Sequence, residues 1–277
     1  MAYPTVSGAY GYKPINLIGG QVFSGSTRNY PVAYNNSAAI FYGDPVTLSG
    51  GYIVLPTLPV NSTNTIVGVF LGCYYTNPST KQRLYSQYLP ASTLAGDITA
   101  IVADDPDIVL RCAVTALAGS TVISSANSLL VGSNMVGNSS VVGSTVTGNS
   151  TNGVIAATAA GASTAGFRVL QLATDTQYSY GGTYSSGTGT TTLTGTGVSP
   201  GVILPVGTEV FNVIGNGLQY TGSFVTTAYT VPASGTAAMT VTASTTAVAG
   251  TVAIVVTPEV IVKVNFAVHR YNIAAGT

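Results

Sequence analysis

The chain has 277 residues, enough for one large domain or two ordinary ones and enough to bury a core without disulfide or metal staples. Charged residues make up only 6%, with eight basic against eight acidic and a net charge of zero, while 33 residues are glycine and none is tryptophan. Eight scattered cations cannot line a phosphate-neutralising surface, so nucleic-acid binding is not expected; 46% apolar content with no net charge argues against disorder.

No apolar run approaches the roughly 18 residues of a membrane-spanning helix. The opening MAYPTVSGAYGYKP has neither a basic nor an apolar region of a signal peptide. Helix formers are too sparse to build amphipathic faces. Val, Thr, Tyr and Ile runs of four to eight residues alternate with Gly, Asn, Pro and Ser turns, which predicts an all-β protein.

In chain order, residues 1–36 carry Tyr3, Tyr10, Tyr12, Tyr30 and Tyr34 among Pro4, Pro14 and Pro31, with no steady alternation. This reads as an extended N-terminal arm, lying either on a partner or over its own barrel. Tyrosine and arginine supply contact area at low entropic cost. Tyr3, Tyr10, Tyr12, Arg28 and Tyr30 are therefore the candidate interface residues.

A small barrel or sandwich begins near residue 37. Ala38–Phe41 leads into the Gly43-Asp44-Pro45 turn, and Val46–Leu48, the Ser49-Gly50-Gly51 turn and Tyr52–Leu55 form a hairpin. Ile66–Cys73 is apolar throughout and predicts a central strand buried on both faces. Further strands are expected within 84–102 and over Ile108–Val114. Residues 117–175 repeat this logic in a Gly/Ser/Asn-rich version, with turn and strand at Val141–Val146 and a closing strand at Phe167–Leu172.

Residues 179–257 form the most uniform block, with strands around 190–194, 209–214, 218–226, 237–243 and 251–256. That is sandwich spacing and predicts a separate β-domain. Val260–Val268 recovers the earlier character and would pair back into the first domain. The block is then an insertion whose ends lie together, and the chain divides into an arm (1–36), a main domain (37–178 plus 258–277) and an inserted, outward-projecting β-sandwich (179–257).

The residues of catalysis are sparse. His269 is the sole imidazole, so any Ser-His-Asp or Cys-His arrangement would have to use it. No phosphate loop of the Gly-x-x-x-x-Gly-Lys type occurs, and no cofactor is expected. Cys73 and Cys112 lie in apolar runs and read as small buried hydrophobes. Asp104, Asp105 and Asp107 form the one acidic cluster, either a cation-holding turn or a solvated turn capping its own amides. The sequons at Asn35, Asn61, Asn138 and Asn149 are expected by chance in so Ser/Thr-rich a chain.

Several segments resemble one family. Gly11-Tyr12-Lys13-Pro14-Ile15 with Gly19-Gly20, Ala39–Val46, Val67–Tyr74 with Thr76, Gln87–Pro90, Ala103–Pro106, Phe167–Leu170 and Val262–Phe266 with His269-Arg270-Tyr271 look like auxiliary head proteins of tailed bacteriophages. The likeness covers 1–178 and 260–277 and skips 179–257. It implies a capsid cement or decoration protein without catalytic residues. Such a protein sits on the exterior of the virion after synthesis in the host cytoplasm, binds the major capsid protein, commonly as a homotrimer, and bridges capsid subunits. The inserted block would contact a host surface or act as a spacer. A tail-fibre or adhesin-type receptor binder is the alternative; a lectin or carbohydrate-active enzyme comes third, because its usual Trp platforms are missing.

Overall fold

The computed structural model describes residues 8–56, 65–115, 130–138, 143–155, 165–184, 187–196, 207–209, 212–215, 218–221, 224–230, 236–247, 250–265 and 268–272. The protein is all-β, and the described residues contain no α-helix. Strands β1 (Lys13–Leu17), β2 (Arg28–Pro31), β3 (Pro45–Ser49), β4 (Tyr52–Val54), β5 (Gly68–Thr76), β6 (Arg83–Ser86) and β7 (Thr99–Ala103) are followed by β8 (Ile108–Thr115), β9 (Asn134–Gly137), β10 (Val154–Ile155) and β11 (Phe167–Leu172). Strands β12 (Tyr178–Tyr184), β13 (Gly187–Thr196), β14 (Gly207–Glu209), β15 (Asn212–Gly215), β16 (Leu218–Thr221), β17 (Phe224–Thr230), β18 (Thr236–Ala247) and β19 (Gly250–Val256) come next. Strand β20 (Glu259–Val264) and a 3-10 turn at Arg270–Asn272 close the chain.

Turn chemistry fixes the predicted hairpin. Ser49 pairs with Tyr52, leaving Gly50 and Gly51 as a two-residue loop in which both φ angles are positive (57° and 87°). A loop of that kind matches strand twist, and glycine enters it without a Cβ penalty. The hairpin belongs to a sheet ordered β2-β7-β5-β3-β4, to which β6 is added along β5.

Strand β5 is buried on both faces because it serves two cores. Val67, Phe70 and Cys73 pack with Val46, Ile53, Leu89 and Val102. Ile66 and Val69 pack with Leu110, Phe167, Val262 and Val264 in a second cluster. A bulge between Phe70 and Gly72 resets the alternation along the strand. At Gly68 the two backbones nearly touch: a Cβ there would sit 2.2 Å from the carbonyl oxygen of Ala103.

Strands that supply the second core pair in a cycle. Strand β8 pairs with β20, β20 with β11, β11 with β9, β9 with β10, and β10 returns to β8 in parallel. Strand β8 thus groups with the later strands rather than with residues 38–107. Both cysteines are buried and free, as their apolar context predicts. At residues 143–148 the described structure is a turn, closed by Gly148 N–H on Ser144 O at 2.7 Å, and the strand expected at 143–146 does not form there; Val141 and Val142 lie outside the described residues.

Within residues 8–36 the chain is not a free arm. Strand β1 pairs with β8 (Lys13 with Arg111, Leu17 with Ile108) and β2 pairs with β7 (Arg28 with Val102, Pro31 with Thr99). These segments are sheet strands of the main body, because β8 and β7 would otherwise leave backbone donors and acceptors without partners.

Strands β12–β19 form an eight-stranded sheet in the order β14-β17-β18-β13-β12-β19-β15-β16, and among the described residues its strands pair only with one another. The chain enters it from β11 and leaves it into β20, and those two strands are antiparallel neighbours. At the crossing, Ala173 N–H donates to Glu259 O (3.1 Å), Gln177 Nε2 donates to Thr257 Oγ1 (3.0 Å), and Tyr178 pairs with Val256.

Candidate functional site

Of the sequence-predicted interface residues, the structure buries Tyr12 and ties Tyr10, Arg28 and Tyr30 to partners within the chain. Tyr3 lies outside the described residues. Tyr12 is fully buried; its ring stacks on Phe167 with centroids 4.2 Å apart, and its hydroxyl donates to Gly153 O at 2.8 Å. As an interface candidate Tyr12 is therefore corrected to a core residue. Position 12 is carried inward because Tyr12 N–H binds Gly43 O at the entrance to β1.

Tyr10 is half-buried and donates its hydroxyl to Glu259 Oε1, with Lys13 Nζ 4.5 Å above its ring. Glu259 Oε2 accepts from Arg111 (2.5 Å), and Arg111 also holds Asp175 Oδ2 (2.7 Å). Glu259 opens β20 and Asp175 follows β11, so this chain of bonds closes the neck leading to β12–β19. Burial, reinforced by the Glu259 hydrogen bond, raises the Tyr10 phenol above its usual range. The hydrogen bond to Glu259 raises the Arg111 guanidinium, and Arg111 in turn holds Asp175 below the ordinary carboxylate value.

Arg28 and Tyr30 converge on Asp104. Its Oδ2 accepts from Tyr30 (2.6 Å) and Tyr271 (2.5 Å) and faces Arg28 Nε at 3.2 Å, with the two tyrosine hydroxyls side by side on it. Desolvation and the Asp104 bond push the Tyr30 phenol up. The cluster ties the C-terminal turn to β2 and β7. The acidic trio thus splits three ways: Asp104 is buried among these partners, Asp105 caps the Asp107 N–H (2.8 Å), and Asp107 lies 3.5 Å from Lys263 Nζ. No group of three or more His, Cys, Asp or Glu side chains placed to hold a metal ion occurs among the described residues.

His269 is also an interior residue. Ile66 bonds both sides of it, and its Nδ1 accepts the Tyr271 N–H at 3.3 Å. Desolvation holds the imidazole below its ordinary pKa, opposed by Asp104 and Asp105. A third buried carboxylate, Asp44, accepts from Ser150 Oγ (2.5 Å), Asn152 Nδ2 (2.7 Å) and Phe41 N–H (2.8 Å). Burial raises its pKa against those three donors. It locks the 41–44 turn to 150–152.

A Tyr–Arg cluster does face outward, on the β5–β6 hairpin, where sequence reasoning did not place one. Cross-strand pairing sets Tyr74 opposite Tyr85 and Thr76 opposite Arg83, all four on one face. The tyrosine rings lie 5.5 Å apart, with the Arg83 guanidinium carbon 4.3 Å from the centroid of Tyr74 and 5.8 Å from that of Tyr85. Tyr85 is 68% exposed. Beside them, Thr76 fixes Asp97 through its N–H (3.0 Å to Oδ1) and hydroxyl (2.6 Å to Oδ2). The alternation of Arg83 and Tyr85 along four residues was the available signal, but it becomes a surface only once β5 is known to lie beside it.

No helix among the described residues is long and apolar enough to cross a membrane. In comparisons with protein-family models, with curated proteins and with solved structures, nothing matches this chain.

Proposed function

We propose that the chain is a structural, non-catalytic virion protein that binds the outside of an icosahedral phage head as an oligomer, a homotrimer by analogy, and stabilises it by bridging major capsid subunits. The observation that carries this reading is the pairing of β11 with β20. The segments that resemble auxiliary head proteins are the ones that pair with each other, and the segment the resemblance skips pairs only with itself. We read the cycle β8-β20-β11-β9-β10 as a small barrel, the sheet of β2–β7 as its companion, and 179–257 as an inserted β-sandwich projecting outward. Cementing is then multivalent: three copies of a modest contact act together, and avidity exceeds any one of them.

The self-contained β12–β19 sheet favours a second reading, a tail-fibre or adhesin-type receptor binder in which that block recognises a host surface. Mixing the purified protein with matched bare capsids and with tails, followed by sedimentation and imaging, separates the two. Saturable, regularly spaced density on heads is expected; binding to tails or host cells alone would replace the capsid reading with the second.

The insertion reading has its own test. Tyr178 and Val256 are direct antiparallel partners, so replacing 178–256 by Asn-Gly should close β11 and β20 as a short hairpin. The excised protein should stay soluble, with a β-type circular dichroism spectrum and a cooperative melt. An unfolded or aggregated product would show that the block is not an independent insertion.

A further inference from the structure

We propose that the outer face of the β5–β6 hairpin, Tyr74, Arg83 and Tyr85, is the surface that docks on the capsid subunit, with Arg83 receiving a carboxylate of that partner. This deepens the capsid reading and rests on it. Three observations lead here. First, the other arginine–tyrosine sites already have partners within the chain: Arg28, though 63% exposed, and Tyr30 on Asp104, Arg111 on Glu259 and Asp175, Tyr12 in the core; Arg168 and Arg270 are exposed, but neither stacks on a tyrosine among the described residues. Arg83 and the neighbouring Lys81 are exposed and take no ion pair among the described residues. Asp97 feels the Arg83 charge, but its oxygens accept from the Thr76 N–H and hydroxyl, and this single carboxylate stands against both Lys81 and Arg83. The hairpin is therefore a local excess of positive charge on a chain of net charge zero, and its complement is an acidic side chain.

Second, the guanidinium is already ordered. Stacking over Tyr74 and leaning toward Tyr85 restrains its rotamers while leaving the planar fork of donors in solvent. A fork so held loses little entropy on accepting a carboxylate, which is why arginine rather than lysine suits the position. Third, among the described residues β6 pairs only with β5, and all of Arg83, Leu84 and Tyr85 are exposed, with Leu84 at 41%. An unpaired strand edge beside an aromatic–arginine face offers backbone and side-chain contacts to one partner at once.

The test is capsid sedimentation with the full chain and three variants, Arg83→Gln, Tyr85→Ser and, as control, Val146→Ser, whose side chain is 94% exposed elsewhere. Melting curves of the free proteins check the fold. Arg83→Gln and Tyr85→Ser should each weaken binding about tenfold or more while melting within a degree or two of the wild type, as truncated interface hot spots do. Val146→Ser should bind like the wild type. Raising salt should weaken the wild type more than Arg83→Gln, because the lost contact is ionic. Wild-type binding with unchanged affinity in both hairpin variants overturns this inference and leaves the capsid reading standing. No wild-type binding to heads, with binding to tails or host glycans instead, overturns the capsid partner itself.

Discussion

Tyr12 separates a core role from a contact role quantitatively. Its side chain is fully buried, stacked on Phe167 and bonded to Gly153 O. Tyr12→Phe removes only the hydroxyl. Gly153 O keeps a second donor, the Asn138 N–H at 2.8 Å, so no acceptor is orphaned and the cost should be about 1 kcal/mol. Tyr12→Ala removes the ring from a packed site and leaves a cavity against Phe167, Leu110 and Val264, which should cost about 4 kcal/mol. For a chain of this size those figures correspond to a fall in Tm of about 2–4 °C and about 8–16 °C. Differential scanning calorimetry measures both, and capsid sedimentation below the lowered Tm measures contact. The reasoning predicts a large Tm shift with affinity unchanged wherever the variant is folded. A Tyr12→Ala protein that melts like the wild type yet no longer binds heads would refute it and restore Tyr12 as a contact residue.

Two further outcomes follow from the packing and the titrations. Gly68→Ala should destabilise by about 3 kcal/mol or more, since its Cβ would press on the Ala103 carbonyl at 2.2 Å and prise β5 from β7; Gly96→Ala, with nothing within 4 Å, should change the unfolding free energy from denaturant melts by no more than about 0.5–1 kcal/mol. His269 has a folded pKa below its unfolded value, so below about pH 6.5 the unfolded chain binds the proton first and stability falls as pH drops, by at most about 1.4 kcal/mol per pH unit. Asp44, raised by burial, has the opposite sign: its contribution is lost as pH rises above the unfolded value of 3.8. Urea melts should show His269→Gln flattening the slope just below pH 6.5, and an unchanged slope would remove His269 as its source.

Local signals in the sequence located what local physics determines. The Gly50-Gly51 hairpin, the doubly apolar run that became β5, and the two closing strands β11 and β20 all follow from turn residues or apolar periodicity within a window of a few residues. The N-terminal segment was misleading for an identifiable reason. Strand β1 carries a bulge between Pro14 and Asn16, which breaks the period of two and turns Ile15 outward, and its partner β8 lies almost a hundred residues away. Without alternation or a nearby partner, Tyr10 and Tyr12 look like free contact area. The slot that buries Tyr12 is assembled from Phe167 and Gly153, far along the chain. The same holds for Asp104, whose burial depends on Tyr30 and Tyr271 arriving from opposite ends of the sequence.

The scarcity of charge takes on a definite meaning once the pairs are located. Asp104 joins β2 and the C-terminal turn, Glu259 with Arg111 joins β8 and β20 at the neck, and Asp107 meets Lys263. These ionic groups sit at seams where separate stretches of chain must find one register, and the Glu259 and Asp104 side chains are only 4% and 7% exposed. Buried pairs of this kind add little net stability over apolar residues, but breaking one leaves an uncompensated charge, so they discriminate against misassembled pairings. The long stretches between seams carry Thr, Ser, Asn and Gly instead, including 112–167, which has no charged residue at all. A neutral surface of that composition has no long-range repulsion between copies. On the proposed lattice, where many copies stand a few nanometres apart over a shell of like subunits, a chain of high net charge would oppose its own saturation. A chain of zero net charge that buries Asp104 and Glu259 at its seams, and spreads its few exposed charges of both signs, can fill every site while Arg83 still orients on each one.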